Sequence, residues 1–225
     1  MPFKIQPIMT IDTETATLTG GVYDIAFSVH TRDGRELDSF AAVVRETATN
    51  PRVMKGAFYA DKMFSHYVPA LAEQRLPLMS WADIVARIRS AIETHDVQTV
   101  AAYNLGFDRR ALRATHQSLG HTDTILPREI NMLDIWEFVC RSRLILKKYK
   151  TLARTQGWVS EKGNILTNAE CAYRFISGDL DFKESHTAAE DTTIEREILA
   201  DCFRAKGPVP YNIITGQPWR LVNAA

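Results

Sequence analysis

The chain of 225 residues is 45% hydrophobic and 24% charged, and its 27 basic residues balance its 27 acidic ones. This composition predicts a globular domain and argues against a protein that coats nucleic acid by general charge attraction. We interpret the three widely spaced cysteines as buried free thiols in a reducing compartment. No stretch approaches the ~20 apolar residues of a membrane span and no leader pattern is present, so we expect a cytoplasmic protein without membrane contact.

The first predicted elements are strands. Three β-rich segments are separated by Gly20-Gly21 and by Asp33-Gly34, which is the pattern of an antiparallel meander. Short turns of this kind join neighbouring antiparallel strands, so we expect the three segments to pair in sequence order. The segments cover residues 4–13, 22–30 and 36–44.

Helices dominate the prediction for the rest of the chain. Apolar residues recur at helical spacing from Trp81 to Glu93, and a β-rich segment follows at residues 97–103. A helical crossover of this length returns a strand in parallel beside the meander. From Asn104 onward the pattern is mainly helical.

Two stretches interrupt an otherwise single domain that spans residues 1–225. Residues 45–80 contain short helical pieces broken by prolines, and we interpret them as a variable, insertion-like region. Residues 204–225 contain three prolines and predict an irregular tail.

The first candidate motif places two carboxylates at the end of the first strand. Asp12 and Glu14 are two residues apart, so they lie on the same side of a strand with Cα atoms about 7 Å apart. Two carboxylates at this separation can share a pair of metal ions. The same pattern also occurs where a strand simply runs into an acidic turn.

The second motif lies where the fourth strand meets the following helix. Asn104 and Asp108 are four residues apart and share a helix face. Asp108 also lies on the apolar stripe of Ala111 and Leu112, which directs its carboxylate towards the protein body. The alternative interpretation is an Asn cap followed by an Asp that the helix dipole favours.

The third motif surrounds the start of the last long helix. Thr187 and Glu190 have the spacing of a capping box, so the helix should begin at residue 188. His186 then lies outside the helix and is free to fold over its start towards Asp191, which shares an apolar stripe with Ile194. An ordinary loop histidine is the alternative interpretation of His186.

Taken together, the three motifs resemble the exonuclease motifs of the DnaQ-like DEDD 3′-to-5′ exonucleases, in the same order. The third motif resembles that of the histidine subgroup, because the tyrosine subgroup has Tyr at position 187, where this chain has Thr. The resemblance covers residues 8 to about 203 and implies an α/β, RNase H-like fold. That fold has a mixed central sheet, three antiparallel strands beside parallel ones, flanked by helices.

The resemblance also implies a two-metal hydrolysis of the terminal phosphodiester that releases nucleoside 5′-monophosphates from a 3′ end. Hard cations such as Mg²⁺ or Mn²⁺ prefer carboxylate ligands, and a pair of them stabilises both the attacking and the leaving oxygen. By resemblance, His186 is the general base. The implied metal ligands are Asp12, Glu14, Asp108 and Asp191, and the implied substrate-binding residues are Thr15, Ala16, Leu18 and Asn104.

Several alternatives stay open at the level of sequence. The expected partner is the 3′ end of a nucleic acid, and we favour DNA over RNA. An exoribonuclease or oligoribonuclease that acts on RNA ends is the alternative within the same chemistry. A polymerase-associated proofreading or end-binding module is the alternative of another class, although no segment of the sequence indicates a polymerase partner.

Overall fold

A six-stranded mixed sheet forms the centre of the computed structural model, which describes residues 6–18, 20–55, 57, 61–205 and 207–224. The strands are β1 (Ile8–Thr17), β2 (Gly20–His30), β3 (Glu36–Val44), β4 (Leu78–Met79), β5 (Thr99–Ala102) and β6 (Asn131–Asp134). Their order across the sheet is β4-β3-β2-β1-β5-β6. The pairs β1–β2 and β2–β3 are antiparallel, and the other neighbours are parallel. The predicted combination of a meander with parallel strands is therefore confirmed.

The first strand extends further than predicted. It continues to Thr17, whereas the sequence pattern ends at residue 13, and residues 4 and 5 of the predicted strand lie outside the described residues. The pairing register between β1 and β2 shifts between Glu14 and Thr15. This irregularity lets the strand bend and continue beyond the acidic pair. Gly21 follows the turn with φ 75°, a left-handed conformation that favours glycine.

Two short parallel strands were missed by sequence analysis. β6 has the sequence Asn-Met-Leu-Asp and pairs with β5 along its whole length, although the sequence predicts mainly helix there. The segment lacks β-branched residues and alternation, so only its pairing with the buried strand β5 makes it a strand. β4 adds two residues to the opposite edge.

Ten α-helices are seen among the described residues, and the longer ones cover both faces of the sheet. The first long helix agrees with its prediction to within one residue, and Ser80 caps it by accepting a hydrogen bond from the Asp83 backbone N–H. The helices are α1 (Arg45–Ala48), α2 (Pro51–Met54), α3 (Val68–Ala72), α4 (Trp81–Thr94), α5 (Leu105–Ser118), α6 (Ile135–Val139), α7 (Lys147–Thr155), α8 (Ala169–Ser177), α9 (Ala188–Arg204) and α10 (Trp219–Asn223). Short π-helical turns precede α3 and follow α6.

The core lies on both faces of the sheet. On one face, Met9 and Ile11 of β1 pack with the buried sides of α4 and α5. On the other face, Ile8 of β1 packs with residues of α6, α8 and α9. Because β1 is central and both of its faces are covered, polar side chains at its end are held between helices from opposite sides. Cys140, Cys171 and Cys202 are buried free thiols, as predicted.

Residues 45–80 and the C-terminal tail are more ordered than their proline content indicates. The first stretch forms short helical pieces, as predicted, although Phe58 and Tyr59 lie outside the described residues. The tail was predicted to be irregular but contains α10. The Asn223 side chain holds this helix by accepting from the Ile165 backbone N–H at 2.7 Å and donating to the Ile165 carbonyl at 3.1 Å. In the described part of the chain, no helix has the length and apolarity needed to cross a membrane.

Candidate active site

The three sequence motifs meet at the end of β1. Asp12 and Glu14 project from the same side of β1, as the strand alternation predicts, and both are partly buried. β5 pairs with β1 only as far as Thr10 and Ala101, so the segment after β5 leaves the sheet close to Asp12. The second motif begins in this segment and is thereby carried to the acidic pair.

Asp108 reaches the same point from the opposite face of the sheet. It lies in the first turn of α5, is almost completely buried, and accepts a hydrogen bond from the Thr13 hydroxyl at 2.8 Å. Thr13 and Asp108 therefore link the acidic end of β1 to α5. Asn104 occupies the N-cap position of α5 with φ 65°, but its side chain makes no cap hydrogen bond. The simple capping interpretation of Asn104 is therefore wrong for its side chain.

The third motif approaches Glu14. Asp191 lies on the buried face of α9, and one ligand atom from each of Glu14, His186 and Asp191 lies within 4.8 Å of the other two. His186 lies outside the helix with φ 53°, so the chain turns sharply before α9 and folds the imidazole back over the helix start. The predicted meeting of His186 and Asp191 is present in the structure.

The predicted capping box at the start of α9 is wrong in its hydrogen bonds, although the helix begins at Ala188 as expected. Thr187 accepts no cap hydrogen bond, and Glu190 accepts from the Ser185 backbone N–H instead. The Ala188 N–H donates to the Asp24 carboxylate on β2 at 3.0 Å. A buried carboxylate is a stronger acceptor for the helix N-terminus than a hydroxyl, so Asp24 replaces Thr187 as the cap.

Asp24 also accepts a hydrogen bond from the Tyr67 hydroxyl at 2.7 Å. Burial raises the pKa of Asp24, while the hydrogen bonds from Tyr67 and Ala188 lower it. Asp24 in turn raises the pKa of Glu14, after the larger effect of burial. Sequence analysis missed Asp24, because nothing in the pattern of β2 shows that the start of α9 packs there.

Replacing Tyr67 with phenylalanine should lower the free energy of unfolding by about 1–3 kcal/mol, because it removes one of the donors to a buried carboxylate. Chemical denaturation measures this difference. Tyr173→Phe is the matched control, since the Tyr173 hydroxyl donates to the exposed Glu197 carboxylate at 3.0 Å, and its loss should change stability by at most ~0.5 kcal/mol. If the two substitutions changed the free energy of unfolding equally, the Tyr67–Asp24 hydrogen bond would have no special structural role.

Lys62 connects the proline-rich stretch to the histidine of the third motif. Its ammonium group donates to the backbone carbonyls of Ser185 and His186, the latter at 3.0 Å. Burial lowers the pKa of His186, and the positive charge of Lys62 lowers it further. The carboxylates of Glu170 and Glu190 act in the opposite direction, and the net effect on the pKa favours the neutral imidazole. Its Nδ1 atom lies 3.7 Å from the Glu184 carboxylate.

The acidic side chains at this centre are buried close to one another, so their charged forms are disfavoured unless a cation neutralises them. Burial is the largest cause of raised pKa values at all of them, and it brings the pKa of Glu14 to about 8, of Asp108 to about 7 and of Asp191 to about 9. Burial also raises the pKa of Asp12 strongly, and four neighbouring carboxylates raise it further. Asp12 Oδ2 and Asp191 Oδ1 accept no hydrogen bond from any described residue. Oxygen ligands of this number and charge fit hard divalent cations.

Sequence analysis also missed Glu195, which lies one turn after Asp191 on α9. The side chain is 2% exposed, and burial followed by the charge of Asp108 raises its pKa strongly. The spacing of Glu195 from Asp191 in the sequence could have identified it as a member of the acidic centre. The i, i+4 relation that places Glu195 on the face of Asp191 is the same relation that groups Asn104 with Asp108.

A cleft of about 520 Å³ opens beside the acidic centre. Its lining includes the acidic residues Asp12, Asp191 and Glu195 and the aromatic residues Trp136 and Trp219. The Trp136 indole N–H donates to the Thr167 hydroxyl at 2.8 Å, so the ring is fixed in place while part of it stays accessible. Trp219 belongs to α10, and the tail therefore contributes to the cleft.

The four predicted substrate-binding residues have different environments. Asn104 lines the cleft. Leu18 is 68% exposed at the end of β1, whereas Thr15 is buried and the Ala16 side chain packs fully inside a small core cluster with Tyr23. The Ala16 side chain consequently has no surface to offer a ligand.

A second group of possible metal ligands, His116, His121 and Asp123, lies away from this centre. The Trp81 indole N–H donates to His116 Nδ1 at 2.9 Å, so the ring hydrogen is on Nε2, which donates to Asp123 at 3.0 Å. His121 stacks on His116 with ring centroids 4.6 Å apart. One nitrogen of His116 joins α5 to α4 and the other holds the loop that follows α5, so we interpret this group as structural.

Comparisons with known proteins identify the fold. No family model matches the chain, and neither does any curated protein. The chain is similar to the structure of exonuclease I from Methylocaldum szegediense, with 16% identity and a TM-score of 0.55 over 97% of this chain and 43% of that one. It is also similar in structure to the zinc-bound complex of E. coli exonuclease I with single-stranded DNA, with 12% identity and a TM-score of 0.54 over 97% of this chain and 42% of that one.

The chain thus spans less than half the length of these exonuclease I structures. A structure of exonuclease X in complex with 5′-overhanging duplex DNA matches with 18% identity and a TM-score of 0.47. That match covers 90% of this chain and 94% of the exonuclease X chain. The six-stranded mixed sheet and its flanking helices, together with the exonuclease I likenesses, confirm the predicted α/β, RNase H-like fold.

Proposed function

We propose that the chain is a metal-dependent 3′-to-5′ exonuclease that hydrolyses the terminal phosphodiester of a nucleic acid. The observation that carries the proposal is the convergence of Asp12, Glu14, Asp108 and Asp191 at the end of β1, with His186 beside them. These residues come from three distant parts of the chain. Buried carboxylates destabilise a fold unless they are neutralised, so their convergence is best explained by bound cations.

The four carboxylates would hold two divalent ions, Mg²⁺ or Mn²⁺. When bound, such ions stabilise charge on both the attacking and the leaving oxygen of a phosphodiester. Asp12 would be a ligand of these ions, since the charges of Glu195, Asp108, Asp191 and Glu14 all act on its carboxylate. Glu14 and Asp191 lie on the His186 side of the centre, and Asp108 lies on the side of Thr13.

His186 is the proposed general base. Its neutral form can accept a proton from the attacking water on a ring nitrogen. Lys62 holds the backbone of the histidine loop and disfavours a charged imidazole before the reaction. The residue is thereby kept in position and in the protonation state that a base requires.

The cleft is the proposed path of the strand end. Aromatic rings such as those of Trp136 and Trp219 can stack on bases whatever their sequence, and the acidic residues that line the same cleft would face a phosphate through the bound ions. Leu18 is exposed at the end of the acidic strand, where it could contact the terminal nucleotide. We propose DNA as the substrate, because the exonuclease I structures that share the fold include complexes with single-stranded DNA and with a dT13 oligonucleotide.

The test is a time course on 5′-labelled single-stranded DNA, duplex DNA and RNA of one sequence, with Mg²⁺, Mn²⁺ or EDTA. We expect the DNA to shorten stepwise from its 3′ end, with release of nucleoside 5′-monophosphates that chromatography identifies. A phosphorothioate at the last 3′ linkage should slow the reaction. Internal cleavage, or activity that persists in EDTA, would contradict the proposal, and faster loss of RNA would assign the chain to exoribonucleases.

Replacing His186 with asparagine should lower kcat by about 10²–10⁴-fold, because general-base catalysis contributes that much. Steady-state rates of nucleotide release measure the effect. His121→Asn is the matched control, since His121 belongs to the other histidine group and its variant should keep the wild-type rate. A His186 variant that works at the wild-type rate would exclude the imidazole as the base.

A further inference from the structure

Glu195 lies in the acidic centre and has no assigned role there. It follows Asp191 by one turn of α9, so both side chains leave the same face of the helix. Both also line the cleft together with Asp12. A glutamate that is 2% exposed is unusual in a protein interior unless it is paired.

The two oxygens of Glu195 are not equally satisfied. The backbone N–H of Tyr103 donates to the carboxylate, which ties α9 to the end of β5. The Oε2 atom accepts no hydrogen bond from any residue in the described part of the chain. Burying a carboxylate oxygen without a hydrogen-bond donor costs free energy, and a bound cation or a proton would remove that cost.

The neighbours of Glu195 are themselves acids. Its charge acts on Asp12 more strongly than that of any other group, and Asp108 and Asp191 act most strongly on Glu195. Asp12 Oδ2 also lacks a hydrogen-bond donor among the described residues. Both side chains line the same cleft, and unsatisfied carboxylate oxygens are the kind of ligand that a hard divalent cation prefers.

We propose that Glu195 is a fifth carboxylate ligand of the divalent-cation centre, on the side of Asp12. The inference rests on the proposed function in that it concerns the same centre, but it makes a separate claim about metal affinity. The competing explanation is that Glu195 only accepts the Tyr103 N–H and fixes α9 against β5. A glutamine would satisfy that role equally well, because its amide oxygen also accepts a hydrogen bond.

The experiment is a calorimetric titration of the nucleic-acid-free protein with Mn²⁺, comparing the wild type with Glu195→Gln. We expect Glu195→Gln to weaken Mn²⁺ binding by about tenfold or more. The melting temperature in EDTA should stay equal or rise, because the substitution removes one of several like charges from a buried cluster. Glu197→Gln is the control on the same helix, as its side chain is exposed, and it should bind Mn²⁺ like the wild type.

A second variant guards against a general defect of folding. Glu195→Asp keeps the charge but shortens the side chain, and it should bind Mn²⁺ more tightly than Glu195→Gln. Wild-type Mn²⁺ affinity in Glu195→Gln would overturn the inference, as would a loss of affinity that Glu197→Gln shares.

The outcome is separable from that of the proposed function. If the wild type is an active exonuclease and Glu195→Gln binds Mn²⁺ with wild-type affinity, only the role of Glu195 is refuted. A wild type that binds Mn²⁺ through Glu195 but releases no nucleotide supports the inference and refutes the exonuclease. A wild type that binds no Mn²⁺ overturns both.

Discussion

Replacing Asp12 with asparagine should lower kcat/KM for nucleotide release by about a thousandfold or more, which corresponds to a loss of roughly 4 kcal/mol of transition-state stabilisation. The charges of Glu195, Asp108, Asp191 and Glu14 all act on Asp12, and its Oδ2 accepts no hydrogen bond from the described residues. Asparagine preserves the shape of the side chain but removes the negative charge that would hold the cations. Rates on a 5′-labelled oligonucleotide with saturating Mg²⁺ measure the effect.

The control for Asp12→Asn is Asp179→Asn, a substitution in the exposed turn after α8, which should keep the wild-type rate. The Asp12 variant should also fold normally in EDTA and melt at the same temperature as the wild type or higher, because one buried like charge is gone. A correctly folded Asp12 variant that retains more than about a tenth of the wild-type rate would show that the reaction takes place elsewhere.

Removing divalent cations should make the stability of the protein fall as the pH rises. Glu14, Asp108 and Asp191 have pKa values of about 8, 7 and 9 in the folded state, mainly because of burial. In the unfolded chain such acids titrate near 4. Between these values the folded apoprotein binds more protons than the unfolded chain, so the free energy of unfolding decreases with increasing pH. This contribution is fully present below about pH 4 and is lost as the pH rises towards 9.

Thermal unfolding in EDTA at pH 6 and at pH 8 measures this effect, and we expect the melting temperature to fall by about 5 °C or more between them. Saturating Mn²⁺ should raise the melting temperature and reverse the trend, because deprotonated carboxylates bind the cation better. Superimposable curves with EDTA and with Mn²⁺ at both pH values would mean that the acids do not form a cation site. The Asp12→Asn variant provides a further comparison, since its stability should respond less to Mn²⁺.

Local sequence patterns were sufficient for the positions of the acids in their own elements. Strand alternation places Asp12 and Glu14 on one side of β1, and helix periodicity places Asp108 and Asp191 on buried faces. These periodicities depend only on backbone geometry within one element, so they can be predicted without knowing how the elements pack. The Thr187–Glu190 pair shows where this reasoning fails. It marks the helix start correctly, but a residue from another strand supplies the cap.

What the sequence by itself determined is the meander of the first three strands with the helical crossover to β5, the resemblance to the DnaQ-like exonucleases and the inward direction of the carboxylates. Only the tertiary structure decided which side chains meet. The Thr13–Asp108 bond joins residues 95 positions apart, and the Ala188–Asp24 bond joins residues 164 apart. The unsatisfied oxygen of Glu195 likewise follows from packing. Desolvation and hydrogen bonding depend on every segment that surrounds a group, so the pKa values and the missed residues could not be obtained from any single segment.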